Sequence, residues 1–313
     1  MLISDKSYAL TRGLAGEGKP PKYYRGRLPE KTELFSFTGL RHPVAFINSK
    51  SLYRHLFAIL RDWEIKKIDS HGEQQPVIAI QKTNGNFQRR SRWLSKPAIF
   101  HNPIDTVCDF IVDLIHAYVA DNAGMLCLHC AAVKFKQGLV VFPNTYRAGK
   151  SILSLKLVSC GGQLFSDDVL PITNQGNFGV ALGILPRLRL PLPEALGEAY
   201  SYFAFEHAGP KNDRYLYVKL SKRQQAVLGT TAPIRGITIL QRDTAAEPAL
   251  MEVKKSTVVK DIILRNFARQ NPALEIIDRL YAIAEKAECY TLRYATLDQA
   301  VELLEDAFGL QNL

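Results

Sequence analysis

A chain of 313 residues is long enough for one large domain or two ordinary ones, and 47% apolar with 22% charged residues reads as globular. No apolar run reaches the roughly 18 residues that span a bilayer, and "MLISDKSYALTRG" has no signal-peptide hydrophobic stretch, so the expectation is a cytoplasmic protein away from membranes. Forty basic against thirty acidic residues give +10, a charge that attracts anions: nucleotides, acidic proteins or nucleic acid.

In chain order, residues 1 to about 45 are punctuated by Gly, Pro and basic residues and read as loop. "SLYRHLFAILRDWEI" sets Leu52, Leu56, Ile59, Leu60 and Trp63 at helical spacing, and "PVIAIQKT" reads as a strand. "PIDTVCDFIVDLIHAYVADNAG" predicts a helix capped by Asp105 or Thr106 and stopped at Gly124. "MLCLHCAAVKF" and "GLVVF" read as two buried strands, "SILSLKLVSC" as a helix ending at Gly161-Gly162, and "QLFSDDVLPI" as a strand interrupted by two aspartates. Strand, loop, helix and strand over 138–170 make a βαβ unit. Beyond it, "RYLYVKL", "IRGITILQRD" and "CYTLRYA" read as strands and "STVVKDIILRNFARQ" and "NPALEIIDRLYAIAEKA" as helices, the second with Asn271 as its cap. Thr296 and Gln299 form a capping box for a last helix that stops at Gly309.

The five cysteines are an odd, sparse set, which argues against a disulfide framework. Cys127 and Cys130 form a C-x-x-C, but no second pair follows at finger spacing, and buried thiols are the expectation over zinc or redox chemistry. Two basic clusters interleaved with aromatics, residues 18–27 and 88–93, could bind single strands, though solvated loops are the simpler reading and nucleic acid is not favoured as a partner.

The chemistry concentrates in "VVFPNTYRAGKSILSLKL". A phosphate cradle needs inward backbone N–H groups, a helix N-terminus, a cation for the β and γ oxygens and a hydroxyl for magnesium. Lys150 and Ser151 supply the last two, and Gly149 allows close backbone approach; Asn144, Thr145, Arg147 and Ala148 complete the candidate loop. Asn144 stands where the P-loop pattern has glycine, and asparagine is among the few residues that enter the left-handed region readily. Asp167 and Asp168 end the strand after the helix, on the edge that carries the loop in a parallel βαβ unit. There one carboxylate can hold Mg²⁺ and its neighbour can accept a hydroxyl proton. The alternative is a βα turn capped by Ser151.

"LHCAAV", "RAGKS", the short helix with its paired glycines and "FSDDV" resemble, in order and spacing, the HPr kinase/phosphorylase-like kinases, whose P-loop domain is related to phosphoenolpyruvate carboxykinase. The resemblance covers roughly 121–313 and implies a mixed α/β P-loop kinase core, with 1–120 either an accessory region or a completion of the core sheet. It implies Lys150 on the phosphates, Ser151 and Asp168 on Mg²⁺, Asp167 as general base, and His129 near the phosphates. Arg187 and Arg189 are implied to neutralise transferred charge or recognise substrate. ATP and Mg²⁺ are the expected cofactors, and the acceptor is a serine-type hydroxyl on a protein, a peptide or a small molecule. Asn144 and Arg147 depart from the family's glycines. No segment matches the one associated with phosphorylase activity, and a homo-oligomer stays open. A nucleotide-binding regulatory protein without catalysis, built on a degenerate P-loop, is the alternative function.

Overall fold

The computed structural model describes residues 29, 31–69, 75–143, 148–268 and 270–310. The basic segment 18–27 and the loop residues Asn144, Thr145 and Arg147 therefore lie outside the described residues. The fold is mixed α/β, with mixed sheets and seven α-helices among the described residues. None of those helices is long and apolar enough to cross a membrane.

The chain divides into two compact units, one of residues 1–53 and 64–121, the other of residues 54–63 and 122–313. In chain order the first part of the chain holds β1 (Thr32–Phe37), β2 (Val44–Ile47), α1 (Tyr53–Ile59), which belongs to the second unit from Arg54 on, then β3 (Ile65–Ile68), β4 (Ile78–Thr83), β5 (Asn86–Ser91), β6 (Ala98–Phe100) and α2 (Pro103–Asp121). The strands form one sheet of order β3-β1-β2-β4-β5-β6, antiparallel except between β2 and β4. Phe110 of α2 packs its ring 5.9 Å from Phe37 and 6.0 Å from Phe46.

Two expectations change in this unit. The residues of "QRRSRW" are not a solvated loop: Asn86–Ser91 is a strand because Arg89 turns inward, 3% exposed, to pair with Asp109 and Asp113 of α2. The N-terminal cap of α2 is Asn102, whose Oδ1 accepts the Ile104 N–H at 2.8 Å, one turn earlier than Asp105 or Thr106, with Pro103 at the first helical position.

The second unit holds β7 (Leu126–Leu128), β8 (Ala131–Lys134), β9 (Leu139–Phe142), α3 (Lys150–Ser159), β10 (Gln163–Ser166), β11 (Leu170–Ile172), β12 (Phe178–Val180) and β13 (Arg187–Arg189). It continues through α4 (Gly197–Glu206), β14 (Ala208–Lys211), β15 (Tyr215–Val218), β16 (Thr231–Arg242), β17 (Ala249–Glu252), α5 (Lys255–Arg265), α6 (Ala273–Lys286), β18 (Glu288–Tyr294) and α7 (Leu297–Phe308). Its main sheet runs β10-β8-β9-β16-β12-β11-β7, with β18 added to β16 and β17 to β18. The strands beside the loop alternate between two cores, as a pleat buried on both faces requires. Val140 and Phe142 face α3, α4 and α7, while Leu139 and Val141 face α5 and α6.

The first helical pattern of the sequence is shorter than its apolar spacing suggests. α1 stops at Ile59, and Leu60 and Trp63 are buried as a bridge to Ile184 and as a side chain donating from Nε1 to the Leu182 carbonyl at 2.7 Å. The run "MLCLHCAAVKF" breaks at His129-Cys130, and β7 and β8 take places far apart in the sheet. The cap of α6 is Pro272 rather than Asn271.

Candidate functional site

β9 and β10 both pair antiparallel with β8, so they run parallel to each other with β8 between them, and both end on one edge of the sheet. The loop after β9 and the two aspartates after β10 therefore emerge side by side, as the βαβ reading of the sequence requires. Ser166 reinforces this edge by donating its hydroxyl to the Cys130 carbonyl at 3.0 Å.

α3 opens at Lys150 behind Gly149, which holds φ +84°, a left-handed conformation open to glycine at little steric cost. Gly149, the N-cap position, has no side chain to cap this end, and its carbonyl accepts from Leu153 at 2.9 Å. Lys150 is 7% exposed, and burial lowers its pKa; Asp168, Cys130 and Asp167 act the other way and keep the ammonium form, while Arg265 adds to the lowering.

Asp167 has its two oxygens in different states. Oδ2 accepts the Arg187 main-chain N–H at 2.9 Å, while Oδ1 is shielded from solvent and has no hydrogen-bond partner. Burial raises this carboxyl above its usual range, against the Arg187 N–H and a hydrogen bond from the Ser151 hydroxyl, which pull it down. A serine hydroxyl that donates its proton to Asp167 keeps its oxygen lone pairs for another electrophile.

Asp168 is 42% exposed along its side chain and lies 3.2 Å from His129 Nδ1. His129 sits in the bend between β7 and β8, largely buried; burial lowers its pKa, Asp168 raises it, and Lys150 and Arg265 lower it further. Arg187 and Arg189 flank the buried Leu188 on β13. Arg187 stacks its guanidinium 4.6 Å from the Tyr215 ring centre; it binds Asp167 through its main-chain N–H, and its charge lowers that carboxyl by a smaller amount.

The thiols of Cys127 and Cys130 are buried and free. Burial pushes Cys130 up to about 12, with Lys150 opposing, so both stay protonated near neutrality. Among the described residues no group of three or more His, Cys, Asp or Glu could hold a metal by itself. A divalent cation at this edge would complete its shell with phosphate oxygens and water, the usual arrangement for Mg²⁺, and the Ser151 lone pairs beside the carboxylates fit that donor set.

Arg265 is the site residue the sequence did not reveal. It ends α5, 122 positions from Pro143, to whose carbonyl its Nε donates at 3.3 Å where the chain leaves β9. The end of α5 is tied to β7: the His129 N–H donates to the Arg265 carbonyl at 2.9 Å, and the Phe267 N–H to the Cys127 carbonyl at 3.0 Å. A basic residue closing a helix is common enough that only these pairings mark it.

No protein-family model matches the chain, and no curated protein matches it either. Among solved structures it is similar to the Hpr(Ser) kinase/phosphatase from Coxiella burnetii, at 12% identity and a TM-score of 0.29, over 58% of this chain and 95% of that one. So low a score carries no weight for function, which rests on the residues of the site.

Proposed function

We propose that the protein is an ATP- and Mg²⁺-dependent kinase that transfers the γ-phosphoryl group to a serine-type hydroxyl on a protein, a peptide or a small molecule. The observation that carries this reading is the buried Lys150 at the start of α3 behind the left-handed Gly149, set against a pair of carboxylates of which one, Asp167, is buried and more basic than usual. A βα turn of structural purpose has no need to bury a lysine against two carboxylates.

In this reading Lys150 and the first-turn N–H groups of α3 bind the phosphates, and Ser151 and Asp168 hold Mg²⁺, which when bound supplies charge neutralisation on the phosphate oxygens. Asp167, fixed through Oδ2 by the Arg187 N–H, takes the acceptor proton on Oδ1 as the acceptor oxygen bonds to the γ-phosphorus and the bond to ADP breaks. Its raised pKa suits a base that must hold a proton briefly near neutral pH. His129 lies with Nδ1 3.2 Å from the Asp168 carboxylate, and Arg265 adds positive charge beside the loop.

Calorimetric titration of ATP, with and without Mg²⁺, into the wild type and Lys150→Ala tests this. Mg²⁺-dependent binding that disappears in the variant supports the reading. Absence of binding in the wild type removes it and leaves α3 as a turn-and-helix of structural purpose.

A further inference from the structure

The first unit holds a cavity of about 590 Å³ lined by four lysines, Lys31, Lys50, Lys67 and Lys82, against one carboxylate, Glu33. Lys67 Nζ lies 2.7 Å and Lys50 Nζ 3.8 Å from Glu33 Oε1, and the Tyr53 hydroxyl donates to Oε2 at 2.9 Å. Lys67 first, with Tyr53 and Lys50 adding to it, holds this carboxyl below its usual range against the effect of burial. Lys31 and Lys82 pair with no carboxylate among the described residues. The sheet brings these two together. Thr32 pairs with Ile47 across antiparallel β1 and β2, and Ile47 with Gln81 across parallel β2 and β4, so one further step of each register sets Lys31, Asn48 and Lys82 in one row beyond the end of β2. Lysine on an edge strand keeps that edge solvated, which accounts for Lys67 on β3. β1 and β4 are inner strands, where gathering like charges on one face destabilises a sheet unless an anion lies among them.

We infer that this cavity binds a small anion carrying two phosphoryl groups, a site that stands whether or not the kinase reading does. Glu33 balances one lysine and leaves three positive charges around the cavity, and two phosphoryl groups bring about −3 to −4 near neutral pH. Lysine meets phosphate as a point charge, whereas a carboxylate is better matched by the arginine fork, and no arginine lines the cavity among the described residues. No aromatic ring lines it there either, so a nucleobase would find no stacking partner. The hydroxyls of Thr32 and Ser51 and the amide of Asn48 add neutral donors for phosphate oxygens. The volume falls within the range of about 300–1,000 Å³ usual for small-molecule sites.

The test is calorimetric titration of pyrophosphate, without divalent metal, into the full chain carrying Lys150→Ala, so that the loop before α3 does not compete. The expected result is one pyrophosphate per chain, bound about tenfold or more tightly than orthophosphate at the same ionic strength. Adding Lys31→Gln and Lys82→Gln should weaken pyrophosphate about tenfold or more without lowering the melting temperature of the unliganded chain, since like charges are removed. The control adds Lys211→Gln and Lys286→Gln, two exposed lysines outside the cavity, and should leave the affinity within about twofold. Absence of pyrophosphate binding, or binding unchanged by Lys31→Gln and Lys82→Gln, overturns the site. An equal loss in the control also overturns it, because net charge alone would then account for the binding. Displacement of pyrophosphate by a short oligothymidylate at the same salt overturns the small-anion class and assigns the lysines to a nucleic-acid backbone. A double variant that fails to fold leaves the two single variants to decide by the same criterion, and a Lys150→Ala chain that fails to fold leaves the same comparison to be made in the wild-type background.

Discussion

Acidification should weaken the first unit through one residue, His116. It lies on the inner side of α2 with its ring 5.5 Å from Trp93, and it faces Arg89 of β5 and Arg92, with Asp113 Oδ1 4.0 Å from its Nδ1 and Asp109 beyond Arg89. Burial first, then the charges of Arg89 and Arg92, depress its pKa from 6.5 to about 4, while the carboxylates of Asp113 and Asp109 are engaged with Arg89. The unfolded chain therefore binds a proton that the folded chain refuses between pH 6.5 and 4, and stability rises with pH across that window. At about 1.4 kcal/mol per unit the full effect is about 3 kcal/mol, of which about 2 is lost by pH 5. Urea unfolding followed by Trp93 fluorescence in a Trp63→Phe background reads this unit alone. His116→Gln should flatten the slope between pH 7 and 5 while leaving the Arg89 pairs in place. An equally steep slope in His116→Gln refutes the assignment.

Gly149→Ala meets only Tyr294 Oη at 3.7 Å, so its cost is conformational, about 1 kcal/mol from φ +84°. Mg·ADP affinity should fall about fivefold with little change in melting temperature, and an unchanged affinity in calorimetry would remove Gly149 from the phosphate loop. Asp167→Asn keeps the shape and the contact with the Arg187 N–H but loses the base. Phosphoryl transfer should fall by about 10²–10⁴ while calorimetry shows nucleotide binding retained, and a fully active variant would sink the base assignment. Gly236→Ala would put a methyl 2.7 Å from Phe308 Cζ and 3.2 Å from Val140 Cγ2, beneath α7. Overpacking should cost about 1–3 kcal/mol in urea unfolding, and Phe308→Leu in the same chain should recover part of it.

What the sequence made legible was local. The capping box of Thr296 and Gln299 forms as read, because both partners lie within one turn. Gly149-Lys150-Ser151 marks the start of α3 and Gly161 its end for the same reason. The aspartates fall in the break between β10 and β11, where two adjacent charges in an apolar run had to interrupt a buried strand. Non-local pairing was not legible. Nothing in "LCLHCAAVK" says that the three residues of β7 before His129 join β11 while the four of β8 after it join β9 and β10. α4 was missed because prolines precede it, Gly197 opens it and its aromatics follow no clean helical stripe. Arg265 was invisible because its place depends on the pairing of α5's end with β7. The sheet of the first unit was under-read because β3 and β5 carry exposed lysine and arginine, side chains that keep sheet edges and faces solvated but hide the strand period.

The charges of the folded site explain why divalent metal is the decisive variable in the ATP titration. Among the described residues around the start of α3, Lys150, Arg265 and Arg187 stand against Asp167 and Asp168, so most of the site's positive charge is balanced by carboxylates. A triphosphate entering such a site meets cations that are already partly compensated and two carboxylates that repel it. The +10 spread over the surface steers anions toward the protein but falls off within a Debye length and does not change the local sum. A site built for anions alone would have no carboxylates here, and a site built for a metal alone would have three or more ligands of its own, which the described residues do not provide. In the kinase reading, this balance of cations and carboxylates beside the Ser151 hydroxyl is complementary to a phosphate and a cation arriving together. That complementarity separates this arrangement from a basic patch, whose nucleotide affinity would be indifferent to Mg²⁺ and would fall steadily with added salt.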